Sequence, residues 1–153
     1  MGVSVFLALT AISPAAELEA FLQDRTSDGA VATFTGLVRA TGHDGQSVGA
    51  LKLDAYPALT ERSMQEIGEA AGARFGLTDV LIVHRSGEIL PGAAVVFVAA
   101  AAPHRREAFA GVDYLMDRLK TDAAFWKSET GPSGPRRIEP APRDAADRAR
   151  WSD

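Results

Sequence analysis

The sequence predicts a single α+β domain, and three observations predict it. The chain is 153 residues long, a size that suits one domain able to bury roughly 68–70% of its unfolded surface, and no change of composition divides it. Short β-rich runs and amphipathic helical stretches follow one another in mixed order, with no internal repeat. Two of the runs, Val80–His84 and Ala94–Ala101, are apolar at nearly every position. Such strands are buried on both faces and belong in the middle of a sheet.

In chain order, Val3, Phe6, Leu7 and Leu9 make a first strand. Ser13 offers an N-cap oxygen and Pro14 suits the first helical position, so residues 14–24 read as a helix with Leu18, Phe21 and Leu22 on one side. Asp28-Gly29 turns the chain into a strand over Ala30–Arg39, rich in Val and Thr. The loop from Ala40 to Ser47, with Gly42, His43 and Gly45, is expected to be mobile, and a lid over a site is one use for it. Val48–Tyr56 alternates Leu51 and Leu53 with Lys52 and Asp54, as a half-buried strand does. Pro57 is expected to stop that strand and Thr60 to cap a helix running to Phe75. In that helix Met64, Ile67 and Ala71 face inward, while Glu61, Arg62, Glu66 and Glu69 face water.

After Val80–His84, a turn through Gly87 and Pro91-Gly92 leads into Ala94–Ala101. Pro103 opens the longest helix, over 103–120, with Phe109, Val112, Leu115, Met116 and Leu119 along its apolar side. Lys120 closes it, where a cation favours the negative end of the helix dipole. Phe125–Glu129 is a short strand that puts Phe125, Lys127 and Glu129 on one face, and Arg136–Glu139 reads as its returning hairpin partner. Residues 131–153, rich in Pro, Gly and Arg, form the least patterned stretch of the one domain.

Composition narrows the function. The formal net charge is -4, from 16 Lys+Arg against 20 Asp+Glu, which argues against general nucleic-acid binding but leaves room for a local cationic site. The chain has no cysteine, so it can form neither a disulfide nor a thiolate metal site and can carry no persulfide or thioester of its own. Three histidines without metal-ligand spacing argue against a zinc site, and no cofactor is expected. The apolar start, Val3 to Thr10, lacks a preceding Lys or Arg and reads as a strand and not as a signal peptide. No apolar run approaches the ~20 residues of a membrane span. A cytoplasmic protein is the expectation.

Four features carry candidate chemistry, each beside a plainer reading. Arg39, where a strand meets a Gly-containing loop, can bind a phosphate through two N–H groups, although alone it also reads as a solvated surface arginine. His104 and Arg105 stand at a helix start, where free backbone N–H groups and the dipole favour anions, or simply form a capping turn. His84-Arg85, at another strand end, has no helix start after it and reads as structural. Lys120 and Lys127 flank Phe125-Trp126, and desolvation beside aromatics lowers a lysine pKa toward the range useful for acid–base or nucleophilic work. Glu129 shares the strand face of Lys127 and is placed to pair with it, or to make a surface ion pair of little worth.

Six segments in register, Phe34-Thr-Gly-Leu-Val-Arg39, Leu53-Asp-Ala-Tyr56, Val83-His-Arg-Ser-Gly-Glu88, His104-Arg105 with Ala108-Phe109, Asp117-Arg-Leu-Lys120 and Phe125-Trp-Lys-Ser-Glu129, resemble the large, catalytic subunit family of molybdopterin synthase. The resemblance covers residues 30 to 129. It implies an α/β hammerhead fold with a mainly antiparallel sheet and three main helices. It implies a homodimer within a heterotetramer, each end holding a small ubiquitin-like sulfur carrier whose C-terminal Gly-Gly thiocarboxylate donates sulfur to cyclic pyranopterin monophosphate. Position by position, it implies substrate binding by Arg39, His104, Arg105 and Glu129 and catalysis by Lys120 and Lys127, the two lysines' roles being exchangeable. A chain without cysteine fits this chemistry, because its sulfur must arrive on another protein.

The sequence departs from the family at Ala124, where proline is usual, at Ala55, where a polar or larger residue is common, and at Arg137, in place of a tryptophan. The last substitution bears on how the wall behind Lys127 packs. A rival reading is a non-catalytic module that keeps the same cationic pocket to bind a phosphorylated metabolite or a partner's tail. A second is an assembly subunit without anion affinity. Joint retention of His104, Arg105, Lys120 and Lys127 argues against the first, and titration with the pterin phosphate, followed by Trp126 fluorescence, separates the second.

Overall fold

The computed structural model describes residues 1–42, 44–139 and 141–152, and His43 lies outside them. Four strands form the first sheet: β1 (Gly2–Ala8), β2 (Ala30–Leu37), β4 (Asp79–Arg85) and β6 (Ala94–Ala102), in the order β1-β4-β6-β2. Only the β1–β4 pair is parallel; β6 runs antiparallel to both its neighbours. The two apolar runs are the central strands, as their composition requires. Alternation sorts their side chains between two layers. Val80, Ile82, Val96, Val98 and Ala100 face one side, and Leu81, Val83, Phe97, Ala99 and Ala101 face the other.

Helix α1 (Pro14–Leu22) covers the second face through Leu18 and Phe21. It begins as the sequence predicts, with the Ser13 hydroxyl accepting the Ala16 N–H at 3.3 Å. It ends two residues early, since the cap residue Gln23 is already extended, with φ -62° and ψ 133°, and Asp24 after it takes a left-handed φ of 57°. The first face is covered by α2 (Pro57–Phe75) and α3 (Arg105–Thr121). Close approach of α2 to β1 depends on Gly68, where a Cβ would stand 2.6 Å from Val3 Cγ1.

Pro57 begins α2 and does not precede its start, because a proline at N1 loses no helical hydrogen bond and holds the required φ. Thr60 is therefore no N-cap. Its buried hydroxyl accepts the N–H of Tyr56, the actual cap residue, at 3.1 Å and donates to the Ala124 carbonyl at 2.5 Å. Phe109 is likewise not on the buried side of α3; it is 67% exposed, while Val112, Leu115 and Leu119 are buried.

The remaining strands form a second, wholly antiparallel sheet, where one sheet was expected. Its members are β3 (Ala50–Ala55), β5 (Gly87–Ile89), β7 (Phe125–Gly131) and β8 (Gly134–Arg137), in the order β5-β3-β7-β8. A register shift at Gly36/Leu37 ends β2 before Arg39 and turns the chain out of the first sheet. Val38, Leu53 and Ile89, with Val95 and Phe125 against them, make a small core where the two sheets meet. A fourth helix, α4 (Pro142–Ala149), lies in the tail and docks on α3. Among the described residues no helix is long and apolar enough to cross a membrane.

Candidate active site

A cavity of about 310 Å³ opens at the junction of the two sheets, beside the C-terminal end of α3. That volume lies at the small end of the usual range for ligand pockets. The segment just after β2 supplies Arg39, the last turn of α3 supplies Lys120, and β7 supplies Phe125, Lys127 and Glu129. Period two along β7 sends these last three to the same side, as the sequence predicts. Leu53, paired in register with Lys127, and Ile138 contribute apolar wall.

The two lysines differ in setting. Lys127 is largely withdrawn from water, and desolvation, followed by repulsion from Lys120, lowers its pKa below the ordinary 10.5; Asp144 and Glu129 oppose this in part. A lysine so placed gives up its proton more readily than one in water. Lys120 sits on the exposed rim. The sequence reading places no function at His84, yet the structure sets its ring in the cavity wall, stacked on Phe125 with centroids 4.2 Å apart. Burial pushes the imidazole pKa down to about 4, and both lysines add to the effect. The sequence signal was present in the spacing: Val80, Ile82 and His84 share one face of β4, so His84 extends a buried row.

Glu129 does not pair with Lys127. Its carboxylate accepts from Arg136 of β8 at 3.2 Å, and the same guanidinium binds Asp44 and Gln46 at 2.6 Å each. The expected mobile loop is thus tied down among its described residues: Thr41 bridges Ser47, and the Gly42 N–H donates to the Gln46 carbonyl at 2.8 Å. The sequence carries no signal for the link from Arg136 to the loop, because Asp44 and Gln46 are 92 and 90 residues away along the chain. The wall behind Lys127 packs without the family's tryptophan. The Arg137 guanidinium lies 3.5 Å over the Trp126 ring, a cation–π contact in place of a ring–ring one. Ala124 also makes a bond that proline lacks, its N–H donating to Ser63 Oγ at 3.2 Å.

His104 and Arg105 are not in this cavity. They stand exposed at the opposite end of α3 from Lys120, about 22 Å away along the helix axis at 1.5 Å per residue. Arg39, Lys120, Lys127 and Glu129 come together within one chain; the His104–Arg105 pair does not join them.

The sequence pattern of the family described as MoaE protein matches residues 8–122. The molybdopterin synthase catalytic subunit of Caulobacter vibrioides is 54% identical over 138 residues, covering 90% of each chain. That of Escherichia coli is 45% identical over 132 residues, covering 86% of this chain and 87% of its own. The solved structure of the molybdopterin biosynthesis MoaE protein from Burkholderia ambifaria superposes with a TM-score of 0.82 at 39% identity, covering 97% of both chains. Sequence and fold agree, and the chain belongs to the MoaE family, that of the molybdopterin synthase catalytic subunit.

Proposed function

We propose that this protein makes two sulfur transfers to cyclic pyranopterin monophosphate, forming the dithiolene of molybdopterin, each from the C-terminal thiocarboxylate of a small ubiquitin-like carrier that leaves as the carboxylate. The observation that carries this reading is the convergence of Arg39, Lys120 and Lys127 on one cavity in a cysteine-free chain. Both reactants are anionic, and three cations at one opening attract and align them. Arg39 binds the substrate's phosphate. Lys120, on the rim, meets the incoming thiocarboxylate and stabilises charge that develops at its acyl carbon. Lys127, with its lowered pKa, exchanges protons with the pterin. Glu129 serves the site through Arg136, holding the wall and the 40–47 loop, and not by touching substrate.

His104 and Arg105 lie too far from Lys120 to reach the same substrate within one chain. A homodimer that sets the α3 start of one copy beside the cavity of the other gives them a role in anion binding, and a carrier at each end makes the heterotetramer. The reaction and its carrier belong to the cytoplasm. Single-turnover conversion with a thiocarboxylated carrier tests the reading. Product from the unsubstituted chain, and a rate at least ~100-fold lower from Lys120→Ala, is the expected result. No product from either, with a carrier shown competent on another large subunit, would overturn it. Sedimentation of the free chain as a monomer would remove the dimer.

A further inference from the structure

His84 occupies a position in the cavity that the proposed chemistry leaves unused. The row Val80, Ile82, His84 runs along β4 beneath α2 and α3 and emerges, at His84, where the core gives way to the cavity. The ring is fixed twice. It lies at 29° to the plane of Phe125, and its Nδ1 is 2.9 Å from the Arg85 carbonyl oxygen. A carbonyl only accepts, so Nδ1 carries the hydrogen. The buried ring is uncharged near neutral pH, which leaves Nε2 as a bare acceptor.

The rest of the cavity offers little of that kind. Arg39, Lys120 and Lys127 only donate. The carboxylates of Glu129 and Glu139 are engaged by Arg136 and Arg137, at 3.2 and 3.3 Å. A neutral acceptor among cations does nothing for a phosphate or a thiocarboxylate. It suits an uncharged heterocycle bearing N–H groups.

We propose that His84 is a substrate-binding and specificity-determining residue, whose Nε2 accepts a hydrogen bond from a ring or amino N–H of the reduced pterin while the cations hold the anionic end. This rests on the reading of the substrate given above. It predicts that the protein distinguishes the pterin phosphate from simple phosphate through His84.

The test combines two measurements on the full chain. In ¹⁵N-labelled protein, the Nε2 resonance of His84 should move upfield on addition of cyclic pyranopterin monophosphate and stay in place with inorganic phosphate. In titrations followed by tryptophan fluorescence, His84→Phe, which keeps a flat ring against Phe125, should weaken pterin-phosphate binding about tenfold, as loss of one buried hydrogen bond does. The same variant should leave inorganic phosphate binding within about twofold, and His84→Gln, which restores an acceptor, should recover most of the loss. An unmoved Nε2 signal, or equal pterin affinity in His84→Phe, with wild-type turnover intact, would overturn the His84 assignment and leave the synthase reading standing. Neither binding nor product from wild type with a competent carrier would overturn both. If His84→Phe does not fold, the resonance titration of the unsubstituted chain decides alone.

Discussion

Lys127 carries its charge where the fold penalises it. Its folded pKa is lowered, chiefly by desolvation and then by Lys120, whereas in the unfolded chain it returns to the ordinary 10.5. Between those two values the unfolded chain binds more protons than the folded one, so stability rises with pH across that window. The penalty is complete below the folded value. Lys127→Met keeps the stem against Leu53 and Phe125 and removes the charge. It should raise Tm at neutral pH by a few degrees, each kcal/mol being worth ~2–4 °C at this chain size. It should also flatten the rise in stability toward pH 10.5, and it should abolish turnover. Calorimetry across pH, beside the single-turnover assay, checks all three; an unchanged Tm would mean the ammonium is better solvated than its surroundings indicate. The lysine and its strand face are legible in the sequence, because period two along Phe125–Glu129 is a local property. Its electrostatic setting is not, since Lys120 reaches it from another element.

At the scale of elements, side chains that join one element to another are those the sequence reading assigned otherwise. Thr60, expected as a helix cap, links the start of α2 to the residue before β7 through Tyr56 and Ala124. Thr60→Val preserves volume but leaves the Tyr56 N–H and the Ala124 carbonyl without that hydroxyl. Urea unfolding should register a loss of about 1–3 kcal/mol with little change in the m-value. Arg136 links β8 to β7 and to the 40–47 loop. Arg136→Ala should make that loop the first site of limited proteolysis, raise KM for the pterin phosphate and leave Tm within a few degrees. Equal protease resistance in variant and wild type would show that the Thr41–Ser47 bridge holds the loop without Arg136. Period and cap residues locate strands and helices because both are local signals; which of two sheets a strand joins is settled by the bulge at Gly36/Leu37 and by pairings such as Ala50 with Thr130.

For the molecule as a whole, the tail closes the domain. Trp151 packs edge-on against Phe75 and Tyr114, with centroids 5.6 and 5.5 Å away, and its indole N–H donates to Asp117 at 2.6 Å. Arg150 joins the same carboxylate, and Arg148 reaches Asp122 at the end of α3. Trp151→Ala should detach α4 at a cost of about 3 kcal/mol, toward the low end for buried aromatics because the ring is partly exposed. Protection of the α4 amides in hydrogen exchange should fall while the central β6 strand stays protected; unchanged α4 protection would place the docking energy elsewhere. Composition, periodicity and short motifs determined by themselves the α+β class, the central strands and the absence of any sulfur-carrying cysteine, and they named the cations Arg39, Lys120 and Lys127 that the fold brings to one cavity, because these depend on residue type and near-neighbour spacing. Only the tertiary structure decided that the sheet is two sheets, that Glu129 serves Arg136, that His84 faces the cavity, and that His104 and Arg105 stand a helix-length from Lys120. Each of those depends on contacts between distant parts of the chain or on the direction of a helix in space, and spacing along the sequence encodes neither.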